Sequence, residues 1–201
     1  MTRREFLQMA GAAPLLLPQP ATLDPNRLEA FADPLPIPPV ATPSGFRPHP
    51  YYRIAMRQIE RKVHRDLPPT RFWSYGSTVP GPTFEAHTGK PLLIEWANQL
   101  PLRHFLTIDH TLEGAGSSEP DVRAIVHLHG GRVPPQSDGY PENWFVPGKS
   151  VTSLYPNCQD AAMLWYHDHA MGINRLNIYA GLFGNYFLRD RIETSLNLPR
   201  G

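Results

Sequence analysis

The chain has 201 residues, a formal net charge of +1 at pH 7 and 18% charged residues. This length suits one domain with an additional arm. The near-neutral charge gives no electrostatic support for binding nucleic acid or an anionic membrane surface. The 24 prolines and 15 glycines favour short strands joined by irregular loops over a helical bundle. Cys158 is the only cysteine, which excludes an internal disulfide.

Residues 1–22 are predicted to be a targeting sequence. Arg3 and Arg4 are followed by Phe6 and Leu7, an arrangement that resembles a twin-arginine export signal. No apolar run approaches the roughly 20 residues that a helix needs to cross a bilayer, so no membrane span is predicted. We therefore expect a periplasmic or extracellular protein, with an ordinary basic N-terminus as the alternative.

Residues 23–50 are predicted to form an extended arm, because "DPLPIPPVATPSGFRPHP" is too rich in proline for a helix or a central strand. Residues 51–201 are predicted to form one β domain. Its candidate strands are separated by turn signals and lie in the segments "YYRIAMRQIERKV", "RFWSYGS", "PLLIEWANQL", "AIVHLHG", "SVTSLYP", "AMLWYHDH" and "IYAGLFGNYFLRD". Short strands without a long helical period predict an all-β Greek-key sandwich.

Two His-x-His pairs are the strongest chemical signal in the sequence. His127 and His129 lie in "AIVHLHGGR", and His167 and His169 lie in "LWYHDHAMG". Residues i and i+2 of a strand point to the same face about 6 to 7 Å apart, so each pair should project together. On adjacent strands the two pairs would line one wall of a metal cluster. Imidazole suits zinc, copper, iron and nickel, which leaves the metal open, including a three-histidine zinc site.

The motifs "VHLHGG", "SDGYPE", "LWYHDHAMG" and "RLNIYAGLFGNYFLRD" resemble the first cupredoxin domain of three-domain multicopper oxidases. The branch of bacterial spore-coat laccases and bilirubin oxidases is the most similar, and the likeness covers roughly residues 33–190. The resemblance implies a cupredoxin-like fold and a copper cofactor. It also implies dioxygen as the electron acceptor, reduced to water, and it leaves the reducing substrate open.

The resemblance also assigns roles to the four histidines. It implies that His127 binds type 2 copper and that His129, His167 and His169 bind type 3 copper. Asp138, in "SDGYPE", matches an acidic position near the cluster and is our candidate catalytic residue, with a role in proton or water traffic. The local sequence favours the alternative, a turn-forming aspartate beside Gly139.

Part of the family pattern is absent from this sequence. The family takes half of its cluster histidines from the last domain, which also holds the type 1 copper site with a histidine-flanked cysteine. Cys158, in "YPNCQDAAM", has no flanking histidine and is expected to be a small buried or loop residue. We therefore expect a chain that is inactive alone and needs C-terminal cupredoxin domains, in cis or in trans. It is a fragment or truncated product, a subunit of a split oxidase, or a stand-alone copper-binding module without catalysis.

Other residues near these motifs receive structural interpretations. Trp165 and Tyr166 are expected to pack in the core. His104 and His110 are expected to form hydrogen bonds in loops. Asp168 alternates away from its neighbouring histidines and is expected to orient another group through a hydrogen bond.

Overall fold

The computed structural model of the protein describes residues 23–196. The predicted export signal, residues 1–22, lies outside the described residues. None of the helices between residues 23 and 196 combines the length and apolarity required to cross a membrane.

The described residues fall into two compact units. The smaller unit contains residues 23–34 and 64–66. This unit contains a short 3-10 turn at Pro25–Arg27. The Asp24 carboxylate caps the turn by accepting the Asn26 backbone N–H at 3.0 Å. The backbone N–H of Arg65 donates to the Asp33 carboxylate at 2.8 Å.

The larger unit, residues 35–63 and 67–196, contains the β-structure. In chain order its elements are β1 (Gly45–Phe46), β2 (Pro50–Arg61), β3 (Thr70–Tyr75), β4 (Gly81–His87), β5 (Leu92–Asn98), β6 (Val126–His129), β7 (Ser150–Tyr155), β8 (Ala162–Asp168), α1 (Asn174–Ala180), β9 (Phe183–Arg189) and α2 (Arg191–Ser195). One sheet has the order β1-β2-β5-β7, with β3 also paired to β2, and the other has the order β4-β9-β8-β6. The predicted all-β sandwich is confirmed.

The core lies between the two sheets and is rich in aromatic side chains. Tyr75 contacts Trp96 of its own sheet and Tyr166 of the opposite sheet, at ring-centroid distances of 5.2 Å in both cases. These edge-to-face contacts have the spacing at which aromatic pairs attract one another. Strand β9 alternates strictly, with Gly184, Tyr186 and Leu188 buried, as expected for a strand with one face on a core.

Part of the Pro-rich segment joins the sandwich. The backbone N–H of Ala41 donates to the Thr83 carbonyl, and the Thr83 N–H donates to the Pro39 carbonyl, each at 2.8 Å. Strand β1 then pairs with the start of β2. The proline-rich segment therefore forms hydrogen bonds to the sheet through a proline carbonyl and through the N–H of a residue that is not proline.

The segment "IYAGLFGNYFLRD" is not one strand, as the sequence predicted. Ile178 and Ala180 belong to α1, and β9 begins only at Phe183. Gly181 ends the helix with φ of 119°, a conformation that favours glycine. The apolar residues of this short helix resemble a strand because seven residues are too few to reveal a helical period.

A glycine in β9 tests the packing between neighbouring strands. A Cβ at Gly184 would lie 2.3 Å from ring atoms of Tyr166, whose hydroxyl donates to the Pro82 carbonyl at 2.6 Å. We expect Gly184→Ala to lower the free energy of unfolding by about 2 kcal/mol, measured by urea denaturation. The matched control is Gly45→Ala in β1, where no atom lies within 4 Å of the added Cβ. Equal effects of the two substitutions would contradict the packing argument.

Candidate metal centre

All four predicted histidines lie on one patch. β6 and β8 pair antiparallel, with His127 directly opposite His167. His129 lies two residues beyond His127, and His169 follows the end of β8, where its backbone N–H donates to the Ile125 carbonyl at 2.8 Å. The side chains that alternate with the strand histidines are buried in the core: Val126, Leu128 and Tyr166. The histidines therefore occupy the outer face of the sheet, as the i, i+2 argument predicts.

The four imidazole rings are near neighbours. The distance between ring centroids is 4.8 Å for His127 and His169, 5.5 Å for His129 and His167, and 5.6 Å for His127 and His167. Burial decreases across the patch, because His167 is buried, His127 and His169 are half-buried, and His129 is exposed. The cluster is thus shielded from solvent at His167 and open to solvent at His129.

Backbone carbonyls fix the orientation of two rings. The Nδ1 of His167 donates to the Asp168 carbonyl at 2.7 Å, and the Nδ1 of His127 donates to the Asp138 carbonyl. Because a carbonyl only accepts, each neutral ring carries its lone pair on Nε2, which is the nitrogen that can bind a metal ion. Burial, reinforced by the neighbouring imidazoles, lowers the pKa of His167 to about 4. Burial also lowers the pKa of His169.

Two further nitrogens suit metal binding. The Nδ1 of His129 lies 3.3 Å from the Nε2 of His167. The Nδ1 of His169 is buried and forms no hydrogen bond of ordinary geometry with any residue between 23 and 196, although the Gly139 backbone nearby opposes the lowering of the pKa of His169. A buried ring nitrogen without a partner is costly unless another group binds it.

Asp138 is placed beside the cluster by a tight turn. It follows the 3-10 turn Pro135–Ser137, and its half-exposed carboxylate lies 3.5 Å from the Nδ1 of His127. Gly139 has φ of 77°, and a Cβ there would lie 2.2 Å from the Val126 carbonyl oxygen. The loop can therefore lie against β6 only because glycine occupies this position.

The arrangement offers pairs of ligands and no complete site. Within residues 23–196, no group of three or more histidine, cysteine, aspartate or glutamate side chains converges on one ion position. A metal ion normally needs at least three protein ligands in a closed or catalytic site. The imidazole nitrogens fit copper chemically, and they also suit other divalent metals.

Comparison with known proteins identifies the family. A sequence model of the family described as multicopper oxidase matches residues 117–193, which include all four histidines. The laccase of Bacillus stratosphericus is 50% identical over 182 residues, which are 86% of this chain and 36% of the relative. The laccase of Bacillus subtilis is 46% identical and is covered to the same extent. The chain belongs to the multicopper oxidase family.

The fold agrees with this membership. The crystal structure of a laccase from Pediococcus acidilactici superposes with a TM-score of 0.70 at 25% identity, over 86% of this chain and 33% of that one. The cupredoxin-like fold predicted from the sequence is thereby confirmed. The chain spans about a third of the length of the relatives it matches. Cys158, the only cysteine, is exposed in a loop, with its Sγ 3.6 Å from the Pro156 carbonyl.

Trp165 does not pack in the core, whereas Tyr166 does. The indole of Trp165 is half-buried on the outer face and lies nearly parallel to the rings of His167 and His129. The prediction for Trp165 was wrong because an aromatic residue beside a buried neighbour in a strand necessarily faces the other way.

A buried polar network lies beneath the histidines. The fully buried Asp168 accepts the backbone N–H groups of Ile125 and Ala170, each at 3.1 Å, and the side-chain amide of Asn177 at 2.9 Å. Burial raises the pKa of Asp168 to about 7, while these three hydrogen bonds act in the opposite direction. The Asn177 carbonyl oxygen lies 3.2 Å from the Nε2 of His104. The hydrogen-bonding role predicted for Asp168 is confirmed, whereas the role of Asn177 was not predicted.

The two loop histidines behave as predicted. His104 accepts the Leu106 backbone N–H on its Nδ1 at 2.9 Å, in addition to its contact with Asn177. The Nδ1 of His110 donates to the Ala115 carbonyl at 2.8 Å. Neither imidazole belongs to the outer-face patch, since the ring of His104 contacts its own loop and Asn177 of α1, and the ring of His110 contacts its own loop.

Removing the charge of Asp168 should destabilise the domain. Asp168→Asn would present an amide N–H to groups that are themselves donors, leaving at least one buried donor unsatisfied. We expect a loss of about 2 kcal/mol in the free energy of unfolding, measured by urea denaturation at pH 8, above the pKa of the carboxyl group. Asp160→Asn, at an exposed position, is the matched control and should change this free energy by less than about 0.5 kcal/mol. Wild-type stability of Asp168→Asn would show that the network does not depend on the carboxylate.

Proposed function

We propose that this chain supplies half of the histidine ligands of the type 2 and type 3 copper cluster in a laccase-like multicopper oxidase. In the whole oxidase, dioxygen would be reduced to water with electrons taken singly from a reducing substrate. The observation that carries the proposal is that four imidazoles lie close together on the outer face of β6 and β8 in a chain of this family. By the family resemblance, His127 would bind type 2 copper, and His129, His167 and His169 would bind type 3 copper.

The remaining ligands would come from protein outside this chain. Since no three candidate ligands in residues 23–196 converge on one position, each ion would take at most two nitrogens from here. Exposure of His129 leaves that side of the cluster accessible to another protein surface. Further cupredoxin domains, on the same or on another polypeptide, are the partners proposed for this face.

Residues of this chain keep the imidazoles of His127 and His167 in a form that can bind a cation. The carbonyls of Asp138 and Asp168 hold the protons of His127 and His167 on Nδ1 and keep both Nε2 lone pairs available. The low pKa of His167 keeps that ring neutral at physiological pH, so protons do not compete with the ion. When bound, copper would supply the one-electron redox chemistry that these side chains lack.

Copper loading of the isolated chain tests the half-site. We expect copper to bind through imidazole nitrogens, without the intense blue colour of a thiolate–copper site and without oxidation of phenols. The reason is that Cys158 lies in an exposed loop and half of the cluster ligands are supplied from elsewhere. Absorbance, electron paramagnetic resonance and a phenol-oxidation assay are the measurements. Blue colour together with turnover from this chain alone would refute the proposal.

Histidine variants locate the bound copper. We expect His127→Ala and His167→Ala each to weaken copper binding by about tenfold or more. His87→Ala is the matched control, because His87 is exposed on β4, at the opposite edge of the same sheet. Tight stoichiometric binding that needs no further domain and is lost in the doubly substituted His127→Ala, His129→Ala chain would favour a stand-alone copper-binding module. Retention of zinc, with an activity that copper chelators do not affect, would favour a zinc enzyme.

Asp138 is proposed to pass protons between solvent and the cluster. Its carboxylate is half-exposed and lies 3.5 Å from a ring nitrogen of His127. In the whole oxidase we expect Asp138→Asn to slow dioxygen reduction by at least about tenfold without loss of copper. Asparagine is as good a turn former as aspartate, so an unchanged rate would assign Asp138 to the turn alone. Oxygen consumption and copper content are the measurements.

The proposal includes export from the cytoplasm by the twin-arginine route. Arg3 and Arg4, followed by Phe6 and Leu7, support it. Recovery of the chain from the periplasmic fraction, with retention in the cytoplasm when both arginines are changed to lysine, is the expected result.

A further inference from the structure

We propose that Trp165 is a positioning residue that holds the rings of His129 and His167 so that one nitrogen of each converges on a single ion. This inference rests on the proposed copper-binding function for its consequences, but its structural part concerns the metal-free chain and can be tested there. Trp165 does not belong to the buried core, so core packing does not account for its position against the two imidazoles.

The strand geometry places the indole against both rings. Trp165 is the register partner of His129 across β6 and β8, and it precedes His167 by two residues on the same face. Its ring centroid lies 4.1 Å from that of His167 and 5.3 Å from that of His129, with interplanar angles of 29° and 26°. No stacking contact joins Trp165 to His127 or His169 in the described part of the chain. The indole therefore supports one pair of imidazoles and leaves the other pair alone.

The nitrogens of the supported pair have the separation expected of two ligands of one ion. The Nδ1 of His129 and the Nε2 of His167 are 3.3 Å apart. Two imidazole nitrogens bound tetrahedrally at about 2.0 to 2.1 Å from one ion are separated by about 3.3 Å. Stacking restricts the ring planes, and the Asp168 carbonyl fixes the tautomer of His167.

Support from Trp165 matters most for His129. His129 is exposed, and its ring contacts are with Trp165 and with the neighbouring imidazoles. An exposed side chain without such a contact samples several rotamers. A bicyclic indole is wide enough to cover two imidazoles, whereas a phenyl ring covers less of each. The predicted consequence is a pair of rings that is already oriented before any ion arrives.

The position of the proton on the His129 ring tests the proposal in the metal-free chain. Because the Nδ1 of His167 donates to a carbonyl, its Nε2 is an acceptor, and in the metal-free chain His129 presents its proton on Nδ1 to satisfy the 3.3 Å contact. An ion bound between the two nitrogens would replace this proton, and His129 would then carry its proton on Nε2. Nitrogen-15 NMR of the imidazoles in the metal-free chain should therefore show His129 as the Nδ1–H tautomer. In Trp165→Leu this signature should be lost while the signals of His127 and His169 stay unchanged, and Trp165→Phe should restore it in part. An unchanged His129 tautomer in Trp165→Leu would overturn the proposal.

Copper affinity provides the second measurement. We expect Trp165→Leu to weaken binding of the first copper ion by about tenfold, and Trp165→Phe to recover most of that loss. Trp144→Phe is the matched control, since Trp144 is also a half-buried indole but packs against Arg123. Near-UV circular dichroism checks folding, and if Trp165→Leu does not fold, the tautomer and affinity of Trp165→Phe decide.

The two proposals fail in different ways. If the wild-type chain binds no copper, the proposed function fails, and the His129 tautomer alone still decides the role of Trp165. If copper binds with equal affinity to the wild type, Trp165→Leu and Trp144→Phe, the copper function stands and the positioning role is refuted.

Discussion

The antiparallel pairing of β6 with β8 determines the positions of three of the four clustered histidines, His127, His129 and His167. His127 lies opposite His167, and His129 lies opposite Trp165. A shift of β6 by one residue against β8 would turn His127 and His129 into the core and bring Leu128 to the surface. The aromatic core, in which Tyr166 contacts Phe84 and Trp96, therefore fixes the face that carries the histidines through the same strands.

Asp168 secures this register at the end of the two strands. Its carboxylate lies between two histidines in sequence but points to the opposite side, where it accepts a backbone N–H from Ile125, immediately before β6. It also accepts from Ala170 and from Asn177 of α1. Burying a carboxylate is unfavourable, and three donors offset that cost only in one arrangement of the strands and the helix. The aspartate within "HDH" is therefore a structural requirement of the cluster and need not bind the metal.

The sequence predicted the parts of this site that depend on local geometry. Period-two alternation placed His127 with His129 and identified most strands, because facing direction within a strand follows from its pleat. It could not predict which residue lies opposite which, since register is set by the core and by distant turns. The contact of Trp165 with His129 lies across such a pairing, and the contact of Asn177 with Asp168 joins a helix to a strand. The sequence did not predict the helix before β9, because the boundary between this helix and the strand depends on the conformation of Gly181.

The flatness of a sheet explains why this cluster is incomplete by itself. Side chains from one face of β6 and β8 approach an ion from one side only, whereas tetrahedral coordination requires ligands distributed around it. Additional histidines on the same face would widen the patch without enclosing an ion. The gradient of burial, from His167 in the interior to His129 at the surface, gives the cluster one closed side and one open side. A second protein surface that carries its own ligands can close such a site, and in doing so it would exclude water from the nitrogens that remain exposed here.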